Sequence, residues 1–141
     1  MRWIGDGSTR THAECAAAID RFEILWKQHG FGLFAVELLD SNQFIGFTGL
    51  AIPDFIPELM PSVEIGWRLA RDAWGNGYAT EAAKASLEFG FESCALKRII
   101  SIHQLGNDAS ARIMQKLGMS AYLETIDPSC DRRVKVYEVV S

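Results

Sequence analysis

Cysteine is scarce in this chain of 141 residues: Cys15, Cys94 and Cys130 are three in number and far apart. An odd, scattered set cannot build the disulfide framework of a small secreted domain. No Cys-x-x-Cys pair occurs, and His12, His29 and His103 stand at no metal-ligand spacing. The expectation is a protein without a bound metal. No apolar run approaches the roughly 20 residues that cross a bilayer, and residues 1–7 lack the apolar stretch of a secretory signal. Positive charge is also in short supply. Fourteen basic against 18 acidic side chains leave a net charge of −4, the wrong balance for gripping a nucleic-acid backbone. These absences point to a cytoplasmic, metal-free protein that partners neither a membrane nor a nucleic acid.

What is present is ordinary for a globular fold: 48% hydrophobic and 23% charged residues. A chain of this length buries roughly two thirds of the surface it exposes when unfolded, enough for one self-sufficient core. A single domain over residues 1–141 is expected. Thr11-His12-Ala13-Glu14 has the form of a capping box. Behind it Cys15, Ile19, Phe22 and Trp26 recur at helical spacing, and Gly30 offers a stop, so a helix is read over 12–28. Alternation over 32–39 and again over 44–52, with the turn cluster Asp40-Ser41-Asn42-Gln43 between them, predicts a hairpin.

Pro53, Pro57 and Pro61 mark a loop that cannot be a central strand. A strand over 62–70 follows, with Val63, Ile65, Trp67 and Leu69 on one face and Glu64, Gly66 and Arg68 on the other. A helix over 78–95 carries the apolar seam Ala79, Ala83, Leu87 and Phe91. Then come a short strand over 98–104, a helix over 108–117 closed by Gly118, and a last hairpin of 119–126 and 133–140 around Asp127-Pro128-Ser129. This order specifies a mixed-sheet α+β domain. The run Arg132-Arg133-Val134-Lys135 in the last hairpin reads as a solvated face.

The most informative stretch joins the strand at Glu64 to the turn Trp74-Gly75-Asn76-Gly77-Tyr78-Ala79 and the helix behind it. Glycines at 75 and 77 let the backbone turn sharply and approach a ligand, and a helix N-terminus attracts phosphate. No Gly-Lys-Ser/Thr follows, and the third glycine of a dinucleotide fingerprint is missing. A plain tight turn explains the pair as well. Gly66, in the middle of a strong strand, marks a bulge or a close backbone approach. Asn107-Asp108-Ala109-Ser110 opens the next helix, where Asn107 serves either as N-cap or as an amide pinning an elongated ligand.

Taken together, residues 63–69, 74–82, 107–112 and 116–119 resemble the GNAT superfamily of acetyl-CoA-dependent N-acetyltransferases, and within it the RimJ/RimL-like branch that includes ribosomal-protein N-terminal acetyltransferases. Met1-Arg2-Trp3-Ile4-Gly5 and Phe44-Ile45-Gly46-Phe47 fit as well. The resemblance implies a mixed, mostly antiparallel twisted sheet flanked by helices, with a bulged central strand and a phosphate-binding loop before a helix. It implies acetyl transfer from acetyl-CoA to a primary amine, small or at a protein N-terminus, by direct attack in a ternary complex. A homodimer fits the same picture, as does a catalytically silent CoA-binding module.

The implied cofactor residues are Trp74, Gly75, Asn76, Gly77, Tyr78, Ala79 and Thr80 at the pyrophosphate. Trp67, Arg68 and Leu69 would pair their backbone with the pantetheine arm, and Asn107 would hold its side. Arg112 or Lys116 would meet the outer phosphate, although solvation explains an isolated basic residue on a helix equally well. Glu64 would be the base and Ser110 the donor to the departing sulfur, with solvation and local backbone bonding as their structural alternatives. Asp54 and Glu58 are rival bases. Many relatives carry a tyrosine where this chain has Met114, and His103 reads as structural. The chain opens at a segment that in the family follows a first strand and helix, so an N-terminally short domain with an altered acceptor side is expected.

Overall fold

The alternation read in the sequence is realised in the computed structural model, which describes residues 12–141, with side chains from Asp20 onward. Helix α1 (His12–His29) leads into the hairpin of β1 (Leu33–Glu37) and β2 (Phe44–Ala51). A single 3-10 turn at Pro57–Leu59 precedes β3 (Glu64–Leu69), and another at Arg71–Ala73 leads to α2 (Tyr78–Glu88). Then follow β4 (Arg98–Gln104), α3 (Asp108–Lys116), and the hairpin of β5 (Ser120–Asp127) and β6 (Arg132–Val140). The capping box expected at Thr11 lies outside the described residues.

Six strands form one sheet in the order β1-β2-β3-β4-β6-β5. Every neighbouring pair is antiparallel except β3 with β4. The two sheet faces bury separate apolar clusters, as period-2 strands require. On one face Leu50, Ile65, Ile99 and Tyr137 meet Ala83 and Leu87 of α2 and Met114 of α3. On the other, Ile100, Val134 and Val136 are covered by Ile56 and Leu59 from the proline loop. The loop that cannot be a strand is thus the lid of the second cluster.

Two expectations need correction. The helix read over 78–95 ends as an α-helix at Glu88, and Phe89–Ser93 forms one wider π turn. A seam with every fourth residue apolar drifts around a helix of 3.6 residues per turn. The widened turn lets Phe89 and Phe91 both reach the core. The bulge expected at Gly66 is also absent from the β2–β3 ladder. That register runs unbroken from Ala51↔Glu64 through Gly49↔Gly66 to Gly46↔Leu69. The irregularity lies on the strand's other side, where β3 and β4 share one bridged pair, Glu64↔Ile100, and then part.

Gly49 shows how tightly the sheet centre is drawn together. Its φ is +154°, and a Cβ there would stand 2.2 Å from the Gly32 carbonyl oxygen and 2.7 Å from the Leu33 Cα. Both obstacles are backbone and cannot swing away. Gly49→Ala is expected to cost about 3 kcal/mol or more, read as a fall in the denaturant midpoint. An unchanged midpoint would contradict the crowding.

Candidate active site

The parting of β3 from β4 sets up the site. The Ile100 N–H donates to the Val63 carbonyl at 2.9 Å, and the Ser101 hydroxyl donates to the Ile65 carbonyl at 3.0 Å. On the opposite side the Ala70 N–H donates to the Ile45 carbonyl of β2 at 2.7 Å. Strand backbone groups alternate in direction, so Gly66 and Arg68 present theirs to β2, whereas Trp67 and Leu69 present theirs to the gap beside β4. Of the three residues expected to pair with a pantetheine arm, two face the crevice. Arg68 turns its backbone to β2 and lays its guanidinium 5.5 Å from the Phe47 ring centroid.

At the open end of the crevice stands the glycine turn. Gly75 and Gly77 have φ of +81° and +76°, and a Cβ on either would meet nothing within 4 Å. The positive φ asks for glycine, and the empty space lies in front of the loop. Gly77 is the N-cap of α2 and has no side chain with which to cap it. The N–H groups of Tyr78, Ala79 and Thr80 therefore belong to a first helical turn with no side-chain cap, and they carry the positive end of the helix dipole. Asn76 spends its amide on the loop itself, donating to the Ala73 and Trp74 carbonyls at 3.2 Å each. Trp74 is 56% exposed, yet its indole N–H donates to the Leu69 carbonyl at 2.9 Å, and Arg71 lies 5.6 Å from its ring centroid. These residues fit an elongated ligand with a phosphate at the helix end and an amide chain along β3.

Glu64 occupies the apex of the parting, on the opposite sheet face from Ile65. It is half-buried. Burial, with a smaller contribution from the Asp127 carboxylate, pushes its carboxyl up to about 8. Asp127 is itself buried and accepts from the Ser129 N–H at 2.9 Å and hydroxyl at 2.6 Å. Its role was not visible in the sequence, where Asp127-Pro128-Ser129 reads as turn chemistry. The two carboxylates lie on one sheet face, within electrostatic reach of each other. Among the rivals, Asp54 is exposed, and Glu58 accepts from the Thr125 hydroxyl.

Asn107 is the N-cap of α3, its side-chain oxygen accepting from the Ser110 N–H at 3.3 Å. Ser110 sits half-buried in the first turn behind it, while Arg112 and Lys116 are exposed on the same helix. Met114 is 1% exposed and belongs to the core. His103 is buried, with Nδ1 2.9 Å from the Gln104 carbonyl oxygen and its ring 5.7 Å from that of Tyr137.

The basic residues of the last hairpin are engaged locally. Arg132 donates to Gln104 at 3.1 Å, Arg133 is 3.5 Å from Glu124, and Lys135 is 5.7 Å from the Tyr137 ring centroid. A cavity of about 300 Å³ between β1, β2 and α2 is lined by Phe34, Val36, Glu37, Thr48, Ala82 and Ser86. Glu37 is the one titratable side chain in that lining, and none of the expected site residues belongs to it. Among the described residues, no set of three or more His, Cys, Asp or Glu is grouped to hold a metal, and no helix is long and apolar enough to cross a membrane.

The acetyltransferase (GNAT) domain family matches residues 1–120, and the chain belongs to that family. YkkB, an uncharacterized protein of Bacillus subtilis, is 38% identical over 112 residues, which are 79% of this chain and 63% of YkkB. The chain spans less than two thirds of the length of the curated relatives it matches. A GNAT-family acetyltransferase of Bacillus anthracis superposes with a TM-score of 0.77 at 27% identity, covering 99% of this chain and 80% of that one. A ribosomal-protein-S5-alanine acetyltransferase of Vibrio fischeri superposes with a TM-score of 0.75, covering 99% and 78%. Its 17% identity shows the shared fold and does not single out one branch.

The raised Glu64 carboxyl makes the stability of the fold depend on pH. Below the ordinary carboxylate range Glu64 is protonated in both folded and unfolded chains. As pH climbs from there towards about 8, the unfolded chain loses the proton while the folded chain keeps it, so stability falls through this window and levels above it. Glu64→Gln removes the penalty. At pH 8 it is expected to gain about 1–2 kcal/mol, or roughly 3–8 °C in Tm, and to gain nothing at pH 4. A thermal-melt series across pH checks this, and an equal change at both ends would contradict it.

Proposed function

We propose that the chain is an acetyl-CoA-dependent N-acetyltransferase acting as a single domain over residues 1–141. The observation that carries this reading is the placement of a half-buried, proton-holding carboxyl at the apex of a strand parting that opens towards an uncapped helix N-terminus. Acetyl-CoA supplies an activated acyl thioester. The N–H groups of residues 78–80 and the glycine turn hold its phosphates, Trp67 and Leu69 pair with its amide chain, and Asn107 flanks it. Arg112 answers an outer phosphate. The acceptor is a primary amine that arrives protonated. Glu64, once ionised, takes a proton from it, directly or through a water, and the neutral nitrogen attacks the thioester carbon. The crevice-facing N–H of Trp67 meets the oxygen as charge develops. As the carbon–sulfur bond breaks, the Ser110 hydroxyl gives a proton to the departing sulfur and regains one from the attacking nitrogen, which becomes the amide.

The motif placement supports the RimJ/RimL-like branch, with a protein N-terminus or a small-molecule amine as acceptor. The acidic net charge suits a cationic acceptor. The same composition supports a cytoplasmic setting, and the sheet's two edges, β1 and β5, leave room for a homodimer. One observation favours a second reading, a CoA-binding module without turnover: Met114, where many relatives carry an acid, is committed to the core.

Thiol release from acetyl-CoA across a panel of amines and peptides separates the two. Turnover with at least one amine is expected, with kcat/KM rising as pH passes through about 8. Glu64→Gln is expected to lower kcat by about a hundredfold or more while CoA binding persists. CoA binding with no thiol release from any acceptor would establish the module instead, and no CoA binding would overturn both.

A further inference from the structure

The crevice side of β3 carries a row of backbone groups, and this chain's own side chains occupy two of them. In a continuing parallel ladder the Ile65 carbonyl would accept from a backbone N–H of β4. Here it accepts from the Ser101 hydroxyl at 3.0 Å. Ser101 is 1% exposed, and its bond lies one residue past the only bridged pair, Glu64↔Ile100. At the other end, the Leu69 carbonyl accepts from the Trp74 indole N–H at 2.9 Å. Between the two brackets lie the Trp67 N–H, the Trp67 carbonyl and the Leu69 N–H, with which no strand of the described residues pairs.

We propose that Ser101 is a positioning residue that ends the β3–β4 ladder and, with Trp74 closing the far end, fixes the register of an acyl-pantetheine chain on the three groups between. The inference rests on the acetyltransferase reading above. Its chemistry is specific. A donor, an acceptor and a donor in sequence match one thioester oxygen followed by one amide of the arm. With both neighbouring carbonyls already engaged, a chain displaced by one strand repeat meets a carbonyl that must be shared with a side-chain donor, a weaker acceptor than the free Trp67 carbonyl. The side-chain bond substitutes for the ladder without letting the strands zip further, which keeps the crevice open while giving the Ile65 carbonyl a partner.

Thr48 provides an internal control. It is 3% exposed, and its hydroxyl donates to the Gly66 carbonyl of the same strand at 2.9 Å, from the β2 side. The test titrates the parent, Ser101→Ala and Thr48→Ala with two probes, CoA and adenosine 3′,5′-bisphosphate, which has the nucleotide phosphates but no pantetheine arm. Thermal melts confirm that each variant is folded. Ser101→Ala is expected to weaken CoA about three- to tenfold and to leave the bisphosphate affinity as in the parent. Thr48→Ala is expected to lower Tm and leave the ratio of the two affinities unmoved. A parent that binds CoA, with a ratio unmoved in Ser101→Ala or moved equally in Thr48→Ala, overturns the inference alone. A parent that binds no CoA overturns the acetyltransferase reading and this inference together.

Discussion

Two parallel strands that meet at one residue pair and then diverge make an unusual demand on a sheet. Backbone groups inside a fold must find partners, yet beyond Glu64↔Ile100 the facing edges of β3 and β4 do not supply them to each other. The rest of the structure answers that demand. Ser101 and Trp74 take the carbonyls at either end of the opening. Helices α2 and α3 cover one face, and the proline loop covers the other. What is left open is a short, polar-edged slot ending at a helix N-terminus, a shape that fits an extended ligand with a phosphate at one end.

The divergence also explains the state of Glu64. At the apex it has the covered second face around it and the buried Asp127 carboxylate within electrostatic reach, so its proton is held to about pH 8. A carboxyl with that behaviour destabilises the folded chain at neutral pH while matching the pH at which a general base works best. In the proposed reaction, stability and function pull in opposite directions at this one residue, a common arrangement at sites of proton transfer.

Much of this was legible in the residues. Strand 98–104 and the glycine turn before α2 follow from alternation and from the φ that Gly75 and Gly77 adopt. Glu64 and Gly66 could be assigned to one face from period 2 alone. Three features could not be read. The divergence depends on pairing between strands separated by a helix, and Gly66 announced an irregularity without saying on which edge it lies. Asp127 looked like turn chemistry because its partner Glu64 is remote in sequence. Trp74 stood at the loop position expected to touch phosphate, but its indole reaches back to Leu69, a contact set by the fold and not by spacing. Asn107 was left open between cap and ligand holder, and its bond to the Ser110 N–H is the cap.

Amide hydrogen exchange with and without CoA shows whether the opening between β3 and β4 takes the ligand. Added protection is expected at the amides of Trp67 and Leu69 and through residues 77–80, with little change elsewhere. Protection concentrated instead around the cavity bordered by Phe34 and Ser86, with Trp67 and Leu69 exchanging as before, would contradict it.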